Sequence, residues 1–84
     1  MRVARKTWLG LGFFKRKKIR RELLEYERAH SIDLYLNEKR DLLYSTLFVT
    51  VKTESEEEMI SFRSFLVNLA KTFKIDGARE WLDV

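Results

Sequence analysis

Lys15, Arg16, Lys17, Lys18, Arg20 and Arg21 place six cations within seven residues, directly after Phe13 and Phe14 and close to Trp8. Guanidinium and ammonium groups clustered this way neutralise phosphates and release their counterions, so they bind DNA or RNA in a salt-dependent manner. Aromatic rings beside them can stack on unpaired bases. The expected interface therefore takes charge from the six cations and stacking from Trp8, Phe13 and Phe14, with little base specificity. The same residues support a second chemistry. The run Trp8-Leu9-Gly10-Leu11-Gly12-Phe13-Phe14 followed by Lys15 to Lys18 joins an apolar patch to a cationic one, a pairing that anionic lipid surfaces attract. A third reading is a solvated helix face that keeps the chain soluble.

Catalytic chemistry is poorly supplied. His30 is the one histidine, and no nucleophile motif surrounds Ser31, Ser45, Ser55, Ser61 or Ser64. A structural zinc site needs four ligands of Cys or His type, and cysteine is absent. With three glycines the chain has neither a phosphate-binding loop nor a dinucleotide fingerprint. The acidic run Glu56-Glu57-Glu58 has a structural explanation, given below. The expectation is a protein that is not an enzyme, with no cofactor, no metal and no small-molecule substrate.

Charge divides the chain. Residues 1–28 carry ten Lys or Arg against three Glu, whereas residues 29–84 carry seven against ten acids, within a formal net charge of +4. A basic segment on a mildly acidic body points to a polyanionic partner. Eighty-four residues suffice for one core and one domain. The absence of cysteine fits a reducing compartment. The longest apolar run, Trp8 to Phe14, is too short for a membrane-spanning helix and is followed by KRKK rather than a cleavage site. A cytoplasmic location is expected.

The elements that position these groups follow from periodicity. Residues 1–12 show no clear period and contain two glycines, so they are expected to form a mobile basic and aromatic arm. Ile19, Leu23, Tyr26 and His30 recur at helical spacing, predicting a helix over 13–29 with Lys18–Glu22 and Arg21–Glu25 as supporting pairs. Ile32, Leu34 and Leu36 alternate over 31–37, which favours a strand over a continued helix. A polar loop at 37–41 then leads to a strand at 42–52 with Leu43, Leu47, Val49 and Val51 on one face. Tyr44 and Phe48 fall on the other face, where a homodimer or another protein partner could cover them; Tyr35 and Trp8 are further candidate anchors.

Ser55 precedes a second helix whose stripe is Met59, Phe62, Leu66, Leu69 and Phe73. Ser55 with Glu58 matches a capping box, and the three glutamates suit the helix dipole. Lys74 and Asp76-Gly77 mark its end, and residues 78–84 form either a short strand or a last helical turn, with Trp81 and Leu82 over the core. The predicted class is α+β, one domain over 1–84, in the order α-β-β-α-(β), a hairpin or three-stranded sheet packed by two helices. The order is loosely similar to that of KH nucleic-acid modules, but the GXXG loop by which those clamp the backbone does not occur here.

The functional hypothesis from sequence is a non-enzymatic small basic accessory protein whose N-terminal helix contacts nucleic-acid phosphates. The alternative is a peripheral membrane or protein-interaction adaptor that uses the same segment.

Overall fold

Arg2–Leu11 form a ten-residue strand, β1, where a mobile arm was expected. Ala4, Lys6 and Trp8 point to one side and pair across to Val51, Val49 and Leu47, so the segment gains both a hydrogen-bond ladder and a buried face. The sequence hides this because the inward positions include a lysine and a small alanine. The register then shifts between Trp8 and Leu11. Gly10 lies in that bulge at φ +68°, a conformation that costs glycine little. The bulge brings Leu11 back to the covered side while Leu9 stays outside.

The computed structural model describes residues 1–75 and a two-residue strand at 82–83. After β1 come helix α1 (Phe13–Ala29), strand β2 (Asp33–Arg40), strand β3 (Ser45–Thr53), helix α2 (Glu56–Thr72) and strand β4 (Leu82–Asp83). The sheet order is β2-β3-β1-β4 and every described pairing is antiparallel. This is the split β-α-β arrangement, in which β1 lies between β3 and β4. The α+β class, both helices and the hairpin agree with the sequence reading; β1 is the added element. Asp76-Gly77, Trp81 and the side chain of Leu82 lie outside the described residues.

Both helices cover the same face of the sheet. Ile19 and Leu23 of α1 and Met59, Phe62, Leu66 and Leu69 of α2 bury against Trp8, Leu47, Val49 and Val51. Between the helices, Tyr26 stacks on Phe65 at 4.3 Å and on His30 at 3.8 Å, and its hydroxyl meets the Ser61 hydroxyl at 2.7 Å. The opposite face is open and carries Tyr35, Phe48 and Thr50, with the Lys52 ammonium 5.1 Å from the Tyr35 ring.

The helix ends obey local chemistry. Ser55 Oγ accepts the Glu58 N–H at 3.2 Å, half of the predicted capping box. The other half does not form: the Ser55 N–H goes to Thr53 Oγ1, and the Glu58 carboxylate lies 3.3 Å from His30 Nδ1. At the far end Ile75 N–H reaches Ala70 O and Lys74 N–H reaches Lys71 O, a Schellman closure with Lys74 at φ +53°.

The loop between β2 and β3 is where the predicted strand is too long. Asp41 N–H bonds to Tyr44 O at 2.8 Å, closing a turn, and the strand starts at Ser45. Leu43 therefore leaves the covered face and is exposed. Tyr44 belongs to the turn and not to the outer face of the strand.

Candidate membrane-facing end and its arginine cluster

The chain reverses so that β1 ends, α1 begins and the β2–β3 turn lies at one end of the sheet. Leu11 at the close of β1 pairs with Ser45 at the start of β3, and Arg40 at the close of β2 pairs with the same Ser45. Exposed apolar side chains collect there from three segments: Leu9, then Phe13 and Phe14, then Leu42, Leu43 and Tyr44. Phe14 is 76% exposed and Leu43 79%, values far from those of core residues. Phe13 and Phe14 meet edge to face at 5.4 Å. Monomeric proteins seldom gather this many large apolar groups at one place without a partner.

Cations surround this end. Lys17 and Lys18 on α1 and Lys39 and Arg40 on β2 are exposed, and Lys15 is partly so. Lys17 Nζ lies 5.1 Å from the Phe13 ring. At the opposite end exposed Glu54, Glu56 and Glu57 stand at the start of α2, with Asp33 at the start of β2, and Glu54 and Glu56 pair with the Met1 ammonium at 3.7 Å and Arg2 at 3.6 Å.

Two of the nine residues assigned to a nucleic-acid interface from sequence are buried, and a third, Arg20, is exposed but paired. Trp8 is fully buried under both helices, so its ring cannot stack on a base. Arg16 is 6% exposed and donates through Nη1 to Glu38 Oε2, while Arg20 Nη1 donates to Glu38 Oε1 at 3.2 Å. The Arg16 guanidinium is tied into the fold, whereas the Arg20 side chain stays 48% exposed beside the same carboxylate. Lys15, Lys17, Lys18, Arg20, Arg21, Phe13 and Phe14 are left on the surface, with Lys15 the least exposed. Neither Lys18–Glu22 nor Arg21–Glu25 is among the ion pairs of the described residues.

Glu38 is the residue that sequence reasoning missed. It was assigned to a polar loop, yet the alternation Ile32, Leu34, Leu36 extends one more step to it and turns its carboxylate toward α1. Arg40 Nε lies 3.9 Å away, so one carboxylate is shared by three arginines. Burial on its own would raise the Glu38 pKa. The hydrogen bond and charge of Arg16, followed by those of Arg20, outweigh it and hold the carboxyl below the ordinary carboxylate range. Positive charge remains in surplus around it.

Among the described residues no group of three His, Cys, Asp or Glu side chains is placed to hold a metal ion, and no helix is long and apolar enough to cross a membrane. Compared with known protein families, curated proteins and solved structures, the chain matches none. The class defined by fold and surface is thus a split β-α-β domain with one apolar, cation-ringed end.

Proposed function

We propose that this chain is a non-enzymatic peripheral domain that docks its apolar, basic end onto an anionic membrane surface. The observation that carries the reading is the convergence of Leu9, Phe13, Phe14, Leu42, Leu43 and Tyr44 at one end of the fold, ringed by Lys15, Lys17, Lys18 and Lys39. Aromatic and leucine side chains enter the boundary between headgroups and acyl chains, and each cation near an anionic surface adds about 1 kcal/mol. The cytoplasmic leaflet is the surface that would supply that negative charge.

The nucleic-acid alternative draws on the same cations. It loses Trp8 to the core and Arg16 to Glu38, and it gives Leu42 and Leu43 nothing to do. Membrane docking uses the exposed apolar and basic groups gathered at this end.

Vesicle co-sedimentation with phosphatidylserine–phosphatidylcholine mixtures, against phosphatidylcholine alone, tests the reading. Binding should require the anionic lipid, weaken with salt, and fall by about ten-fold or more when Phe13 and Phe14 become alanine. Oligonucleotide binding that depends on the lysines, together with no vesicle binding, would replace it with the nucleic-acid reading. A concentration-dependent dimer that buries Phe14 and Leu42 would replace it with self-association.

A further inference from the structure

Strand alternation turns every second residue of the sheet away from the helices, and the register sets these residues in rows. Tyr35, Thr50 and Arg5 form one row; Asn37, Phe48 and Thr7 form the next. Lys52 lies one step beyond the first row and Lys39 one step beyond the second. Among the described residues this face is open, with Tyr35 50% and Phe48 39% exposed. We infer that it is a platform for single-stranded RNA: Tyr35 and Phe48 each stack a base, and Arg5, Lys39 and Lys52 meet the phosphates.

Three features of the face select that occupant. The two rings are diagonal neighbours on adjacent strands, about 7 Å apart along the sheet, so each presents its own stacking surface. Such stacking accepts any base, because every base has a π-face. Next, Thr50 stands directly across from Tyr35, and Asn37 from Phe48. Each ring therefore has beside it a side chain that both donates and accepts hydrogen bonds, as the 2′-hydroxyl of a ribose does.

Charge is the third feature. Arg5, Lys39 and Lys52 face out with Asp33 as the one acid among the described residues of this face. None of the three cations is in an ion pair among the described residues. Lys52 holds its ammonium 5.1 Å from the Tyr35 ring, so the phosphate of a base stacked there lies within its reach. The exposed cation–π contact that it gives up is weak.

Other occupants fit less well. A second copy laid face to face would set like charges against each other. An acyl layer would meet Thr7, Asn37 and Thr50 between the rings, which break the apolar area. A duplex keeps its bases stacked inside, out of reach of the rings. Apart from Lys39, the platform uses no residue of the membrane-docking end, and it does not rest on that reading.

The test is an NMR titration of the full chain with oligouridine of about ten nucleotides, beside oligodeoxyuridine and an RNA duplex of the same length. Saturable shifts with oligouridine should appear at Arg5, Tyr35, Phe48 and Thr50. Affinity should fall about twenty-fold from about 50 to about 200 mM salt, as three neutralised phosphates require, and Arg5→Gln should remove about one phosphate from that dependence. Phe48→Ala and Tyr35→Ala should each weaken binding about ten-fold, whereas Tyr35→Phe, which keeps the ring, should bind as the wild type does. The variant with alanine at Phe13 and Phe14 should lose vesicles and keep the oligonucleotide.

Unchanged affinity in both alanine variants, shifts confined to α1, or a duplex bound as tightly as the single strand would overturn the platform. Oligodeoxyuridine bound as tightly as oligouridine would overturn RNA as its occupant. Polyglutamate bound in preference to oligouridine would overturn it in favour of an acidic peptide, and a concentration-dependent dimer that shields Phe48 in favour of self-association.

Discussion

The Glu27 carboxylate of α1 accepts the backbone N–H of Leu34 at 2.7 Å, on the side of β2 that has no neighbouring strand. A sheet edge presents unpaired amides that can recruit another chain, and here a helix side chain occupies one of them. The contact joins α1 to the sheet and also blocks the edge where β2 leaves the α1–β2 connection.

Replacing Glu27 by alanine should cost about 1–2 kcal/mol, since the bond is charge-assisted and partly buried. It should also free the Leu34 amide. Thermal unfolding would report the first effect, and light scattering across a concentration series the second. Unchanged stability would mean that water replaces the carboxylate without loss.

Glu38 gives the domain a defined response to acid. Its carboxyl titrates below the ordinary range in the folded state, so its contribution to stability is fully present above the unfolded value, about pH 4.3, and is lost as pH falls through the folded one. The melting temperature should therefore drop in that acidic window. Glu38→Gln should flatten part of the drop and lower stability near pH 7 by about 2 kcal/mol, because Arg16 then lacks its counter-charge. An acid response identical in wild type and variant would show that other carboxylates control it.

Lys74 occupies the left-handed position that ends α2. A side chain there costs about 1–2 kcal/mol relative to ordinary backbone, whereas glycine adopts it freely but loses more entropy on folding. Lys74→Gly should accordingly stabilise the domain by about 0.5–1 kcal/mol, visible as a raised chemical-denaturation midpoint with an unchanged slope. A lowered midpoint would mean that the lysine side chain contributes more than the backbone costs.

Much of the fold was legible because it rests on unbroken periods. Ile19 and Leu23 fixed α1 to its observed bounds, and Ser55 announced α2 through its hydroxyl. The strand β1 was not legible. Its inward positions are Ala4, Lys6 and Trp8, and the bulge at Gly10 reverses the phase before Leu11, so no simple alternation survives. Burial also lowers the pKa of Lys6, a cost that local sequence reading places on the surface instead. At the apolar end, Phe13 and Phe14, which the sequence reading assigned to stacking or apolar anchorage, are exposed. The cations were overcounted. The buried stripe of Ile19 and Leu23 continues backward three residues to Arg16, and the partner that makes this tolerable, Glu38, comes from a strand 22 residues away. Leu42 and Leu43 were assigned to a strand, and only the turn closed by Asp41 and Tyr44 reveals them as part of the exposed cluster.

The separation of charge between the two ends has a kinetic consequence. Lys15, Lys17, Lys18, Lys39 and Arg40 stand at the apolar end, while Glu54, Glu56 and Glu57 stand at the other. If the apolar end docks on an anionic surface as proposed, that asymmetry, lessened by the Met1 and Arg2 cations paired with Glu54 and Glu56, would exert a torque within a Debye length of the surface. Rotation would then precede contact: the glutamates would swing outward, the phenylalanines and leucines inward, and aligned arrival would replace random collision. Capture rate would depend on the distance between the two charge groups as well as on their number. Reversing the glutamate end would slow landing without altering a single atom that touches the surface.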